Sequence, residues 1–206
     1  MGLAFDVLDT IHRAPTVVSN LVKQKQMAPL FSFHLTSNPN DQSIFVLGGV
    51  DDTKFTSDIC CFPVKNSTVT PEPSGLWTIL LDDALVDNEP LWFNGRDAVI
   101  DTGTSAILIP QKDADLIHSR IQGAQFIAGF GVYVIPCDTT STVSLVFGGN
   151  NYTIQTADLI MENLGGNFCV SSILPSSFKF WLLGVPFLKS VYSVFDIGAK
   201  CVGFAV

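Results

Sequence analysis

The sequence has few basic residues and no long hydrophobic run. Its 11 lysines and arginines stand against 19 aspartates and glutamates, and the net charge of -8 leaves no basic patch for nucleic-acid phosphates. No apolar run reaches the roughly 18 residues of a membrane-spanning helix, so we predict no membrane span. The amino terminus lacks a basic region followed by an apolar core, so we expect no signal peptide in this chain.

Metal and cofactor motifs are also missing. The 3 histidines, His12, His34 and His118, lie far from any histidine or cysteine at metal-ligand spacing, so no zinc site is expected. The Gly148-Gly149 pair lacks the phosphate-binding pattern, and we expect no cofactor. His118 falls on the polar side of a predicted helix, and we interpret it as solvent-exposed.

The pattern of short apolar segments predicts a β-rich fold. With 206 residues and 47% hydrophobic residues, the chain suits one globular domain with a substantial core. Strand-like segments recur at short intervals between turns, and a Gly-rich turn predicts a hairpin over residues 143–154. Helical spacing is confined to residues 15–23 and 110–122. We therefore predict an all-β lobe of mostly antiparallel sheets with two or three short helices.

Residues 98–110 form the most informative stretch. An apolar run enters an Asp-Thr-Gly-Thr-Ser turn and leaves as another apolar run, which predicts a buried strand that delivers Asp101 into a tight loop. A carboxylate between two buried strands loses water and must be hydrogen-bonded or paired. Gly103 lets the backbone approach closely, and Thr102 and Thr104 supply hydroxyl groups. The simpler interpretation, a corner between strands, uses the same Asp and Gly.

The loop resembles the second active-site loop of pepsin-like aspartic proteases. Other segments resemble the same family in the family's order: Gly-Leu-Ala-Phe at 2–5, Phe-Val-Leu-Gly-Gly-Val-Asp at 45–51, Trp-Leu-Leu-Gly at 181–184, Phe-Leu-Lys-Ser-Val-Tyr-Ser-Val-Phe-Asp at 187–196 and Val-Gly-Phe-Ala at 202–205. The resemblance implies that residues 1–206 form a single carboxyl-terminal lobe of such a peptidase, of fungal type, without the amino-terminal lobe.

Roles for individual residues follow from the resemblance alone. It implies that Asp101 is the second catalytic aspartate and that Thr102 belongs to the active-site loop. Thr104 would reach across to a partner loop, and Gly103 and Ser105 would line the substrate backbone. The substrate class implied is polypeptide, and no cofactor or metal is implied.

The resemblance also bears on the cysteines and on cellular location. It implies a disulfide between Cys137 and Cys169, which favours an oxidising compartment. Secretion or vacuolar location is implied by the family, and Asn66 and Asn151 begin triplets that fit the glycosylation pattern. We interpret the other three cysteines as buried small hydrophobes: Cys60, Cys61 and Cys201.

Parts of the family pattern are absent. Asp-Thr/Ser-Gly occurs once, whereas the family's chemistry uses two such carboxylates. All 3 tyrosines follow Asp101, so the family's Tyr-bearing flap is missing. Val185 stands where the family usually has Asp in Gly-Asp-x-Phe, which predicts an altered contact near the cleft.

We therefore expect an aspartic endopeptidase by family whose 206 residues are inactive alone. The missing carboxylate would come from the amino-terminal lobe or from a second copy of the chain, as in a homodimeric protease. A non-catalytic pepsin-like binding or inhibitor protein is the alternative from another class. By the resemblance, Met1 stands where many members of the family have an internal Met or Ile, so a start codon assigned too far downstream would explain the missing half.

Overall fold

The computed structural model describes residues 2–8, 15–65 and 75–206. Three α-helices lie in these residues: Val17–Lys23 (α1), Gln111–Arg120 (α2) and Val185–Leu188 (α3). The strands β1 to β9 are Leu30–His34, Ile44–Leu47, Cys60–Pro63, Thr78–Leu81, Asp83–Val86, Glu89–Pro90, Arg96–Ile100, Ile107–Pro110 and Gln125–Ile127. The strands β10 to β18 are Val132–Pro136, Val143–Phe147, Asn150–Ile154, Ile160–Asn163, Phe168–Ser171, Ile173–Ser176, Trp181–Leu183, Tyr192–Asp196 and Cys201–Ala205.

These elements confirm the predicted β-rich fold and the two short helices predicted over residues 15–23 and 110–122. The helix predicted over 15–23 forms as α1, because the Thr16 hydroxyl accepts from the Ser19 backbone N–H at 3.2 Å and caps its first turn. The helix predicted over 110–122 forms as α2 directly after β8. The predicted hairpin over 143–154 forms from β11 and β12. No helix in the described part of the chain is long and apolar enough to cross a membrane.

The first of two compact units comprises Met1–Ile79 and Val191–Val206. It contains a five-stranded antiparallel sheet in the order β2-β1-β17-β18-β3. Aromatic rings fill its core: Phe31 stacks on Phe195 with centroids 5.0 Å apart, and Trp77 meets both rings edge-on. Burial of these large apolar rings stabilises this unit.

The second unit comprises Leu80–Ser190. Two of its sheets are four-stranded and antiparallel, in the orders β13-β14-β10-β9 and β12-β11-β5-β6. A third sheet, in the order β15-β8-β16-β7-β4, is mixed, and the boundary between the units falls within β4. In it β16 pairs with β7 in parallel and with β8 antiparallel. This mixed sheet carries the loop that contains Asp101.

Two disulfides are present. Cys137 and Cys169 are joined, which confirms the pairing that the family resemblance implied. Cys61 and Cys201 are joined as well, so their interpretation as unpaired hydrophobes was wrong. The pairing of β3 with β18 places these two cysteines on neighbouring strands, a long-range arrangement that local sequence does not reveal. Cys60 is the free cysteine among the described residues and is half-buried.

His118 is buried, so the prediction that it faces solvent was wrong. Its side of α2 packs against the β13-β14-β10-β9 sheet, where its ring stacks on Tyr133 with centroids 3.8 Å apart. Its Nδ1 donates to the Ala114 carbonyl at 2.8 Å, and its Nε2 lies 2.9 Å from Ser171 Oγ. Burial lowers the pKa of His118 to about 4 because the charged imidazolium would lose its hydration.

Candidate active site

Asp101 follows the last residue of a buried strand. The side chains of β7 from Asp97 to Ile100 are buried, and the parallel neighbour β16 continues alongside as far as Leu183. The backbone N–H of Asp101 donates to the Leu183 carbonyl at 3.0 Å. The position of Asp101 is thus fixed by the ladder between these two strands.

The Asp101 carboxylate accepts two hydrogen bonds from its own loop, residues 101–105. The Gly103 backbone N–H donates to Oδ1 at 2.9 Å, and the Thr104 hydroxyl donates to Oδ2 at 2.6 Å. A Cβ at position 103 would lie 3.2 Å from Asp101 Oδ1, a tight contact that would require the carboxylate to shift by a few tenths of an ångström. Each carboxylate oxygen therefore has one fixed partner, which holds the plane of the carboxylate in one orientation.

The backbone around Gly184 supports the loop from behind. The Val185 N–H donates to the Thr104 carbonyl at 2.8 Å, and the Gly184 N–H donates to the Ala106 carbonyl at 3.1 Å. A Cβ on Gly184 would lie only 2.1 Å from the Thr104 oxygen. Only glycine lets the two backbones approach so closely. The Val185 side chain takes no part in these bonds, so the backbone contact survives its departure from the family pattern.

This arrangement presents an oriented, half-buried carboxylate. A carboxylate has about four acceptor positions, and the loop fills two of them, so Asp101 retains acceptor capacity for a water molecule or for a second carboxyl group. Such a group can take part in general acid–base chemistry once a second titrating group is close. In residues 2–8, 15–65 and 75–206, no group of three or more His, Cys, Asp or Glu is placed to hold a metal ion.

The chain as a whole is similar to a known protein family. The family model described as eukaryotic aspartyl protease matches residues 1–206. The chain belongs to this family. The match covers the Asp101 loop, the Gly184 backbone behind it and every other segment on which the resemblance rested.

Relatives of this aspartyl protease chain come from fungi and from other eukaryotes. It is 35% identical over 204 residues to a probable aspartic-type endopeptidase CTSD of Arthroderma otae, covering 96% of this chain and 52% of the relative. It is 32% identical to rhizopuspepsin of Rhizopus chinensis, covering 100% of this chain and 51% of the relative. A cathepsin D of Dictyostelium discoideum is 30% identical over 217 residues, covering 100% of this chain and 54% of the relative. The chain spans about half the length of these curated relatives.

The five predicted loop residues lie together. Gly103 and Ser105 are exposed, and Asp101, Thr102 and Thr104 are half-buried. The Thr104 hydroxyl donates within its own loop, and its reach to a partner loop stays a prediction, as do the substrate contacts of Gly103 and Ser105. Asn151 is exposed in β12, whereas Asn66 lies outside the described residues.

Sequence reasoning missed an ion pair at the end of β7 opposite the loop in this aspartyl protease chain. Arg96 at the start of β7 donates to Asp113 in the first turn of α2 through two nitrogen atoms. An acidic residue in the first turn of a helix is common because it favours the helix dipole, so Asp113 carried no distinctive signal. An arginine preceding a buried strand was the one feature that indicated a buried partner.

Proposed function

We propose that this chain supplies one half of the active site of an aspartic endopeptidase, with Asp101 as one of its two catalytic carboxylates. The observation that carries the proposal is the geometry of Asp101, which ends a buried strand and is fixed by Gly103 and Thr104 in a chain of this family. The substrate class is polypeptide. We place the second carboxylate on an amino-terminal half outside these residues, and the coverage of only 52% of a relative's length supports this proposal.

The chemistry follows from two carboxylates that share one proton, because two like charges at close range do not both ionise readily. The ionised carboxylate takes a proton from a water molecule, whose oxygen attacks the scissile carbonyl carbon. The protonated carboxyl group donates its proton to the carbonyl oxygen. Collapse of the tetrahedral intermediate breaks the C–N bond: the amine nitrogen receives the proton that the first carboxylate took from water, and a hydroxyl group of the intermediate returns a proton to the second carboxylate. A single Asp101 cannot perform both transfers, so the 206 residues are expected to be inactive alone.

A single substitution tests the role of Asp101. Asp101→Asn keeps the shape of the side chain and removes its ability to accept a proton. In a form that contains both halves, we expect loss of acid-pH cleavage of a denatured protein substrate by at least ~10³-fold. Asp52→Asn is the matched control, because Asp52 is an exposed aspartate of the first unit. Retention of cleavage by Asp101→Asn would refute the proposal.

The source of the second carboxylate is tested separately. Reading the transcript upstream of Met1 should reveal a second Asp-Thr/Ser-Gly motif in frame. If a stop codon lies there instead, the homodimer becomes the route, and cleavage by the chain alone should rise with the square of its concentration at low concentration. A non-catalytic binding protein would show no cleavage in either form and would retain its polypeptide partner after Asp101→Asn.

We also propose that the protein is secreted or vacuolar. Its two disulfides persist most readily in an oxidising compartment. Asn151 begins a glycosylation triplet, and Asn151 and Thr153 are exposed in β12. A mass decrease on treatment of the protein from its natural host with an N-glycosidase would support this location, and reduced cysteines in the native protein would contradict it.

A further inference from the structure

One ion pair joins three elements that lead to or from the Asp101 loop. Arg96 is the first residue of β7, Asp113 lies in the first turn of α2, and Trp181 is the first residue of β16. The Arg96 Nε and Nη2 atoms donate to the two Asp113 oxygens at 2.8 and 3.2 Å. The Trp181 indole N–H donates to Asp113 Oδ2 at 2.8 Å. We call these three residues the Arg96 brace.

All three nitrogen atoms of the planar Arg96 guanidinium donate hydrogen bonds. Besides the two bonds to Asp113, its Nη1 donates to the carbonyls of Phe93 and Gly95. The Arg96 Cζ atom lies 5.1 Å from the centroid of the Phe93 ring, and the Phe93 ring in turn meets the Trp181 ring edge-on. A lysine ammonium cannot reproduce this fork of donors. The site therefore depends on arginine and not only on a positive charge.

The brace lies in a protected environment. The Asp113 side chain is 8% exposed and Trp181 is fully buried, whereas the Arg96 side chain is 32% exposed. Removing one partner would leave the other charge poorly compensated. Replacing a buried ion pair by apolar residues of similar volume, in contrast, is often neutral for stability. Stability alone therefore does not account for an ion pair here, and its position in the fold indicates another role.

Each braced element continues toward the Asp101 loop. Asp101 follows β7 directly, Gly184 follows β16 directly, and β8 leaves the loop and enters α2 without a connecting segment. The register of β7 with β16 pairs Trp181 with Ala98 and Leu183 with Ile100. A shift at the braced end would move the other end of the same strand. Since β7 has five residues, that end is about 13 Å away.

We infer that Arg96 and Asp113, together with Trp181, are positioning residues that fix the register of β7 and β16 and thereby the geometry of the Asp101 carboxylate. This inference rests on the proposed function of Asp101 for its catalytic meaning. The structural part, that the brace sets the geometry of the loop from a distance, can be tested without any catalytic activity.

The test measures two backbone amides in the full chain. The Asp101 N–H donates to Leu183 and reports the register of β7 and β16, and the Gly103 N–H donates to the Asp101 carboxylate. Both are followed by ¹H–¹⁵N NMR and by hydrogen exchange in wild type, Arg96→Lys and the double variant Arg96→Met/Asp113→Leu. Lys54→Met is the control, because it removes an ion pair from the first unit.

The double variant separates positioning from stability. We expect it to fold but to melt somewhat below the wild-type temperature, because the buried Trp181 N–H loses its acceptor, while in the folded state the Asp101 and Gly103 amide signals move and their hydrogen exchange becomes about tenfold faster. Arg96→Lys should change the same two signals by a smaller amount, and Lys54→Met should leave both unchanged. Should the double variant fail to fold, Arg96→Lys decides the matter, because it keeps the charge. Unchanged Asp101 and Gly103 signals in a folded variant would overturn the inference.

Activity adds a second, distinguishable readout. In a form that cleaves polypeptide, Arg96→Lys should lower kcat about tenfold with little change in KM, because the loop is misaligned while substrate contacts remain. If Asp101→Asn retained cleavage, the proposed function would fail while the amide shifts could still confirm the brace. If Arg96→Lys left the amides and kcat unchanged while Asp101→Asn abolished cleavage, the brace would fail and the function would stand.

Discussion

Phe31 and Phe195 stack face to face in the first unit, whereas the Asp101 loop of the second unit is held by backbone hydrogen bonds from Gly184 and Val185. Aromatic packing is tolerant, because dispersion and apolar burial depend weakly on direction. Hydrogen bonds at a close backbone crossing depend strongly on distance and angle. The second unit is therefore the more sensitive of the two to small geometric changes, which is what the proposed acid–base role of Asp101 would require.

Gly184→Ala should produce the largest effect, because it disrupts the close crossing behind the loop. The backbone dihedrals of Gly184 suit alanine, but the new Cβ would lie 2.1 Å from the Thr104 carbonyl oxygen. We expect a loss of more than about 4 kcal/mol in the free energy of unfolding, measured by urea denaturation. Gly129→Ala is the matched control, since no heavy atom lies within 4 Å of a Cβ there. Equal stability of the two variants would contradict this interpretation of Gly184.

Phe31→Ala should produce the second-largest effect. It tests how well the first unit tolerates the loss of a core side chain. Phe31 is 1% exposed, and its loss leaves a cavity among the stacked rings. We expect a loss of about 3 kcal/mol in the free energy of unfolding, with the Gly103 amide signal unchanged in the folded state. Phe45→Ala should cost much less, because Phe45 is 39% exposed. A shift of the Gly103 amide signal in Phe31→Ala would contradict the inferred difference between the two units in their sensitivity to small geometric changes.

The smallest of the three effects concerns pH. The buried, neutral His118 has a pKa of about 4 in the folded state, below its ordinary value of 6.5. The unfolded chain binds more protons between these values, so the free energy of unfolding falls as pH falls from about 6.5 to 4. This one group should remove about 2.5 kcal/mol between pH 7.5 and 4.5.

His118→Gln provides the comparison for that measurement. The variant cannot titrate, so its free energy of unfolding should vary less between pH 7.5 and 4.5 even if it is lower overall. Asp115 faces the same cluster through its hydrogen bond from Tyr133, and its pKa is lowered by that bond and by Gln111. Its contribution is lost only at lower pH, below the ordinary carboxyl range. An identical pH slope in wild type and His118→Gln would exclude His118 as the cause.

The sequence was enough to predict those elements whose pattern lies within a few neighbouring residues. The strand, tight loop and strand over residues 98–110 form as β7, the Asp101 loop and β8, because continuous apolar runs and a Gly-containing turn specify this arrangement within a few residues. The α1 and α2 helices were predicted for the same reason. The disulfide between Cys137 and Cys169 came from family resemblance, and the structure confirms it.

The remaining features depend on which distant segments meet. His118 was assigned to the solvent side from the periodicity of α2, but that side of the helix packs against Tyr133 and Ser171. Cys61 and Cys201 meet only because β3 pairs with β18. Likewise, nothing local joins Arg96 to Asp113. The periodicity of apolar residues identifies one buried face of a helix or strand. It does not show when a second, more polar face is buried as well.

The close crossing at Gly184 also bears on the timing of assembly. The Asp101 loop is synthesised before its supports, because Leu183, Gly184 and Val185 lie far downstream in the chain. Contacts between such distant positions form late, since closing a long loop costs chain entropy. A growing polypeptide on the ribosome therefore has no completed Asp101 loop until the segment around Gly184 has emerged. The order of synthesis thus delays completion of the loop around the proposed catalytic carboxylate until residues 183–185 have been added.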